Sequence, residues 1–162
     1  MDDKLSYKDW TKKIQEAAKK TIDPKEKPDE SLESYVANRV LVVDDEEIVR
    51  MIMEDILTKA GYEVIFASDG EEGIRMFKEN SPALVITDII MPKKSGIEFI
   101  LEILAQYPHA KFIAMSAGGE LDPEVALAIP KTIDIHTMAK PFEPKAMLKA
   151  VRELIGPSAN IS

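Results

Sequence analysis

The chain has 162 residues, of which 45% are hydrophobic and 31% are charged, a composition typical of a folded globular domain. Its net charge of −8 argues against a general DNA- or RNA-coating surface, because binding to phosphates requires clustered Lys and Arg. The absence of cysteine excludes disulfides, thiolate metal sites and cysteine nucleophiles. The sequence shows neither a signal-peptide core nor an apolar run near the roughly 20 residues that span a bilayer. We therefore expect a cytoplasmic protein without membrane insertion or direct nucleic acid binding.

The first 38 residues differ in composition from the rest, with 8 Lys against 9 acidic residues. The stretch "DPKEKPDES" (23–31) is charged and contains prolines, which indicates a linker. Before it, one amphipathic helix is predicted over roughly residues 6 to 21. The apolar residues that recur there at helical spacing, with lysines around them, are Trp10, Ile14, Ala17 and Ala18.

From Arg39 onward, apolar strand-like runs alternate with helical patterns. Five runs read as strands: "RVLVV" (39–43), "YEVIFA" (62–67), "ALVIT" (83–87), "KFIAM" (111–115) and "IDIHTM" (133–138). Helices are predicted between them from the spacing of Ile48, Ile52, Ile56 and Leu57, of Ile74 and Phe77, and of Ile97, Ile100, Leu101 and Leu104.

Two further helices are predicted near the end of the chain. A short one opens at Asp122, with Pro123 at its first position, and ends at Pro130, and a last one runs from about Glu143 to Ile155. Strand–helix alternation repeated five times implies βαβ units around a parallel sheet, which is an α/β fold with helices on both faces. We therefore expect one domain over residues 39–156, preceded by an extension (1–38) and followed by a short tail (157–162).

Acidic and other polar residues follow the predicted strands. Asp44 and Asp45 follow the first strand and Asp88 the third, while Ser116 and Lys140 follow the fourth and fifth. In an open parallel sheet these positions share the edge where ligands bind, at the point where strand order reverses. If the first and third strands are neighbours there, three carboxylates converge and repel one another unless a cation joins them. Hard oxygen ligands of this kind suit Mg²⁺.

This pattern resembles the receiver domain of bacterial two-component response regulators, including stand-alone receivers of the chemotaxis type. Four motifs in order carry the resemblance, over about residues 39 to 155: "VLVVDDE" (40–46), "VITDIIMPKKSG" (85–96), "MSA" (115–117) and "KPF" (140–142). The resemblance implies a flavodoxin-like, doubly wound sheet in the order 2-1-3-4-5. It also implies a cis peptide bond between Lys140 and Pro141.

The resemblance further implies a role for each matching residue. Asp88 is the expected phosphoacceptor, and Ser116 and Lys140 are expected to contact the phosphoryl group. Mg²⁺ is expected on Asp44, Asp45 and Asp88, with Asp45 the more direct ligand, and on the backbone carbonyl of Ile90. The expected function is a phosphoacceptor switch that takes a phosphoryl group from a phosphohistidine and catalyses only its own phosphorylation and dephosphorylation.

Partners implied by this function are proteins. A sensor histidine kinase or a histidine phosphotransfer protein is the expected donor, and an unknown protein target reads the predicted helix at 122–130, the fifth strand and the last helix. Two features depart from the family pattern: Thr137 stands at a position that is often aromatic in receivers, and the stretch between Ser116 and Lys140 starts with Gly118-Gly119 and contains the helix breaker Pro130. Rotation of an aromatic ring at position 137 is therefore unavailable.

Simpler readings stand beside this one. Asp44 and Asp45 are also suited to capping the following helix, and Asp88 to a turn before Pro92. At the level of the whole protein, the alternatives are an unphosphorylated docking module and a Mg²⁺-dependent phosphatase, which usually needs a second acid near the nucleophile. The N-terminal extension is open between a docking helix for a partner, an intramolecular cover, a dimerisation element and a solvated tail, because isolated helices are marginal in water.

Overall fold

Five parallel strands form one sheet in the computed structural model, which describes residues 35–91, 94–117 and 135–158. The strand order is β2-β1-β3-β4-β5, which confirms the predicted flavodoxin-like arrangement. The strands are β1 (Val36–Val43), β2 (Glu63–Ala67), β3 (Pro82–Asp88), β4 (Phe112–Ala117) and β5 (His136–Lys140). The helices of the described residues are α1 (Glu47–Lys59), α2 (Gly70–Asn80), α3 (Gly96–Gln106) and α4 (Pro144–Ile155).

Two hydrophobic cores lie on opposite faces of the sheet. Successive strand residues point to opposite faces, so Leu41 and Val43 enter one core while Val40 and Val42 enter the other. Helices α2 and α3 cover the first core, and α1 and α4 cover the second. Because β1 is buried on both faces, its apolar run lacks polar alternation, as expected for a central strand of a parallel sheet.

Local sequence sets where three of the helices begin. Asp69 caps α2, where its carboxylate accepts a hydrogen bond from the backbone N–H of Glu72, and Ser95 caps α3 by accepting from the N–H of Glu98. These caps satisfy backbone donors that have no partner inside the helix. Pro144 occupies the first turn of α4, where a missing N–H costs nothing.

Several predicted boundaries differ from the structure. β1 begins at Val36, three residues before the predicted start, because the N–H of Val36 reaches the carbonyl of Ser81 at 2.8 Å and pairing extends to Pro82. β5 begins at His136, three residues later than predicted. The helices predicted at 6–21 and 122–130 lie outside the described residues. No helix among residues 35–91, 94–117 and 135–158 has the length and apolar character needed to cross a bilayer.

The residues whose spacing predicted α1 include both buried and exposed side chains. Met53 and Leu57 are fully buried against the sheet, whereas Ile48 and Ile52 are 64% and 45% exposed. Apolar residues occur on both faces of this helix, so spacing alone identified the helix but not the face that packs on the core.

Candidate functional site

Strand order and register bring the predicted acidic residues together at the carboxyl ends of the strands. β1 and β3 are neighbours, and Val43 pairs with Thr87, so Asp44 and Asp88 follow on adjacent strands at the same level. The order of strands reverses between β1 and β3, where doubly wound folds place their ligand sites. Asp44 is fully buried and Asp88 is 8% exposed. The predicted convergence of these two carboxylates is therefore present in the structure.

Lys140 joins the two buried carboxylates. Its ammonium nitrogen lies 2.8 Å from Oδ2 of Asp44 and 2.8 Å from Oδ2 of Asp88. Desolvation by burial lowers the pKa of Lys140, but hydrogen bonds and charge attraction from Asp44 and Asp88 outweigh it and leave that pKa above its usual value. Lys140 is the last residue of β5, so its long side chain crosses the end of β4 to reach Asp88 at the end of β3 and Asp44 after β1. The site contains a fixed cation between two acids.

The Asp88 carboxylate is held at both oxygens. Oδ1 accepts a hydrogen bond from the backbone N–H of Ile90 at 3.1 Å, and Oδ2 accepts from Lys140. The backbone carbonyl of Asp88 accepts from the hydroxyl of Thr87, a fully buried residue, at 3.0 Å. A Cβ on Gly96 would lie only 1.9 Å from that carbonyl oxygen, so this position requires glycine. Asp88 is thus positioned by its surroundings and is not a loose turn residue.

Four carboxylates form what we call the acidic cluster. Each of Asp44, Asp45, Glu46 and Asp88 offers one oxygen, and these oxygens all lie within 4.8 Å of one another. Asp45 and Glu46 are exposed, which leaves the cluster open to water. Hard carboxylate oxygens with access for water are the donors that Mg²⁺ prefers, and Lys140 alone balances only part of their charge. The residues present therefore fit a divalent cation.

A tight turn connects β1 to α1 and orients the acidic cluster. Oδ1 of Asp44 accepts from the backbone N–H of Glu46 at 2.9 Å, and the guanidinium of Arg50 donates to the backbone carbonyl of Asp44 at 2.6 Å. The residue at the N-cap of α1 is Glu46, which makes no side-chain capping bond. Asp44 therefore stabilises the turn before the helix instead of capping its first turn.

The structure also places the remaining predicted site residues. Ser116 is buried near the end of β4, one residue beyond the Asp88–Met115 pairing, which puts it on the strand beside Asp88. Ile90 follows β3 and its side chain is 76% exposed. The peptide bond between Lys140 and Pro141 is cis, as the resemblance implied. Thr137 lies in β5 and pairs with Ala114.

Three residues that bear on the site were not predicted. Glu46 joins the acidic cluster and its carboxylate lies 3.9 Å from Lys140, which the run "DDEE" (44–47) could have suggested. Gly96 was quoted as part of a motif, but its close approach to the Asp88 carbonyl depends on how the loop folds back. Arg50 binds a backbone carbonyl across the turn, and no sequence pattern predicts that contact.

Known proteins share the sequence features of this chain. Residues 40–152 match the family model of the response regulator receiver domain. Over 120 residues the chain is 38% identical to the chemotaxis protein CheY of Thermotoga maritima, which covers 74% of this chain and 98% of that protein. The chain therefore belongs to the response regulator receiver domain family, the CheY-like receivers of two-component systems.

Solved structures show the same fold. A receiver domain protein from Clostridium thermocellum is 34% identical, with a TM-score of 0.65 over 72% of this chain and 93% of that one. The response regulator TrrA from Thermotoga maritima, solved in complex with Mg²⁺-BeF, is 33% identical, with a TM-score of 0.62 over 72% of this chain and 98% of that one.

Proposed function

We propose that this protein is a phosphoacceptor switch in which Asp88 receives a phosphoryl group from a phosphohistidine. The observation that carries the proposal is the Asp88 carboxylate, which ends a buried strand with one oxygen on Lys140 at 2.8 Å and three other carboxylates around it. A histidine kinase or a histidine phosphotransfer protein is the proposed donor, and the proposed compartment is the cytoplasm.

The reaction forms one bond and breaks another. A carboxylate oxygen of Asp88 attacks phosphorus, and the bond between phosphorus and the imidazole nitrogen of the donor breaks, leaving an acyl phosphate on Asp88. Lys140 supplies positive charge beside the incoming phosphoryl oxygens, and the hydroxyl of Ser116 donates a hydrogen bond to them. The backbone N–H of Ile90 holds the carboxylate in place during the attack.

Mg²⁺ fits the same edge of the sheet. Asp44, Asp45 and Asp88 would hold it, with the backbone carbonyl of Ile90 as a further oxygen. When bound, the ion supplies charge that offsets the negative charge of the phosphoryl oxygens. The relative TrrA, whose structure contains Mg²⁺-BeF, supports this assignment.

Phosphorylation converts the Asp88 carboxylate into an acyl phosphate, which is larger and carries more negative charge. A phosphoryl group adds negative charge and acceptor oxygens, which draw Lys140 away from Asp44 and bring Ser116 into contact. Ser116 lies near the end of β4 and Lys140 at the end of β5, so both strand ends shift together. We propose that a protein target reads this change and that the chain turns over no separate substrate.

The test is intact mass after incubation with acetyl phosphate and Mg²⁺. We expect a phosphate-sized mass increase in the wild-type chain and none in Asp88→Asn. The matched control is Asp55→Asn on the exposed face of α1, which should retain the increase. No increase in the wild-type chain would indicate the docking module instead, and turnover of an aryl phosphate would indicate a phosphatase.

A further inference from the structure

Helix α1 carries an exposed apolar surface. Ile48, Met51 and Ile52 are 64%, 61% and 45% exposed, and their spacing of three and four residues places them on one face of the helix. We call these three residues the apolar stripe. They point away from Met53 and Leu57, which face the core. Large apolar side chains grouped on a surface usually mark a contact with another segment or molecule.

Acidic residues surround the apolar stripe. Glu47 and Glu54 lie beside it on the helix, and Asp55 lies one turn further along. Within α1, Glu47, Glu54 and Asp55 stand against Arg50 and Lys59, a net charge of −1. Arg50 donates to the carbonyl of Asp44, and Lys59 pairs with Asp55, so the negative charge beside the stripe comes from Glu47 and Glu54. A suitable occupant is therefore an apolar face flanked by cations.

The chain itself contains such a segment. The helix predicted at residues 6–21 has an apolar face that includes Trp10 and Ile14, and within this range five lysines stand against Asp9 and Glu16, a net charge of +3. Apolar face and positive flanks match the apolar stripe and its acidic border. Opposite charges across such a contact fix its orientation as well as attract the two surfaces.

The connecting residues are long enough to permit this contact. Residues 22–34 are 13 in number and span at most about 47 Å when extended. They must pass along the height of the sheet, which the eight residues of β1 set at about 26 Å. The segment can therefore reach the first turns of α1 from Tyr35, where the described chain begins.

We propose that residues 6–21 form an amphipathic helix that docks on the apolar stripe of α1 in the same molecule. Trp10 and Ile14 cover Ile48, Met51 and Ile52, and the lysines face the acidic border. A tethered helix needs only weak intrinsic affinity, because the linker keeps its effective concentration high. The proposal does not rest on phosphorylation, since the stripe is exposed in the fold as it stands.

The first experiment uses Trp10, the only tryptophan of the chain, as a reporter in the full-length protein. We expect blue-shifted emission and acrylamide quenching at least about twofold weaker than in the variant Ile48→Gln with Met51→Gln, because docking buries the indole. Glutamine is a good helix former, so α1 persists in this variant, as circular dichroism would verify. Added salt should increase quenching in the wild-type chain, since charge attraction is screened.

The matched control is Glu71→Gln with Arg75→Gln on α2, on the other face of the sheet, which changes two exposed positions four apart and leaves net charge unaltered. It should quench like the wild-type chain. Equal quenching in the wild-type chain and the stripe variant would overturn the proposal. Protection that depends on protein concentration would also overturn it, because the segment would then cover a second copy.

A second experiment tests the geometry by trapping. The chain has no cysteine, so Ile14→Cys with Met51→Cys introduces one defined pair. Under mild oxidation we expect rapid formation of an intramolecular disulfide, seen as faster migration without reductant and unchanged molecular size. Ile14→Cys with Arg75→Cys is the control and should form it at least about tenfold more slowly, since Arg75 lies on α2 across the sheet. Equal rates for the two pairs would contradict docking on the stripe.

Discussion

At the scale of single residues, Lys140 is expected to contribute strongly to stability. Its ammonium group separates two buried carboxylates, and removing it leaves both without their cation. We expect Lys140→Met to lower the free energy of unfolding by about 3 kcal/mol, because an unpaired buried charge is costly. Urea unfolding without Mg²⁺ measures this loss, because a divalent cation on the same carboxylates would replace the lost positive charge.

A double-mutant cycle separates the ion pair from other effects of the substitution. Adding Asp88→Asn to Lys140→Met should recover part of the loss, with a coupling energy of about 1–2 kcal/mol between the two sites. Lys59→Met at the exposed pair with Asp55 is the control and should change stability by no more than about 0.5 kcal/mol. Strict additivity of the Lys140 and Asp88 substitutions would show that the pair is energetically unimportant.

Gly96 tests how closely the loop after β3 must fold back on Asp88. A methyl group there would overlap the Asp88 carbonyl, which belongs to the backbone and cannot rotate away. We expect Gly96→Ala to cost about 2 kcal/mol in unfolding free energy and to slow phosphorylation by acetyl phosphate. Gly73→Ala is the comparison, because its new methyl group would meet side-chain atoms of Phe99 at 3.1 Å, a contact that a shift of a few tenths of an ångström relieves. The comparison variant should keep the wild-type phosphorylation rate.

At the scale of elements, the start of α2 gives a pH-dependent contribution. Glu72 accepts hydrogen bonds from the hydroxyl of Ser68 at 2.7 Å and from the backbone N–H of Ser68 at 3.1 Å. These hydrogen bonds lower the pKa of Glu72 from its usual value of 4.5. A lowered pKa in the folded state stabilises the protein above pH 4.5, and this stabilisation is lost as the pH falls through the folded-state pKa.

The corresponding variant is Glu72→Gln. We expect the difference in unfolding free energy between the wild-type chain and this variant to be constant well above pH 4.5 and to shrink as the pH falls below it. Denaturant titrations over a series of pH values measure the difference. Glu71→Gln, at the exposed neighbouring position, should show no such trend. A difference that grows on acidification would contradict the role given to Ser68.

Helix α1 shows which part of an element can be predicted from sequence. Isoleucine spacing identified the helix, but the residues that face the core are Met53 and Leu57. Apolar residues lie on both faces of this helix, so packing against the sheet, and not the spacing, determines which face is buried. The ends of β1 and β5 were displaced for a similar reason, because backbone pairing with a neighbouring strand decides where a strand starts.

At the scale of the whole molecule, the parallel sheet followed from the alternation of apolar runs and helical patterns, and the order of its strands followed from the resemblance. The meeting of Asp44 and Asp88 followed from that order, because neighbouring parallel strands end at the same edge. The contacts of Lys140 with these two acids required the register of β4 and β5, which sequence does not specify. Glu46 and Arg50 depend on the local turn and were missed for that reason.

The start of the domain, predicted at residue 39, can be tested on the whole molecule. Tyr35 packs edge-on against Phe77, with ring centroids 6.3 Å apart, and Val36 pairs with β3. We expect a chain starting at Tyr35 to unfold cooperatively and to be about 2 kcal/mol more stable than one starting at Arg39. Thermal or urea unfolding of the two chains decides this. Equal stability would place the boundary at residue 39.

The two ends of the described chain lie at the amino ends of the strands, on the opposite side of the sheet from Asp88. Tyr35 precedes β1, and Ser158 is anchored by a hydrogen bond from its hydroxyl to the carbonyl of Gly61, just before β2. A second bond joins the hydroxyl of Tyr62 to the carbonyl of Gly156. A fluorescent protein or affinity tag fused after Ser158 would therefore emerge on the far side of the molecule, where it leaves access of the proposed phosphoryl donor to Asp88 unobstructed.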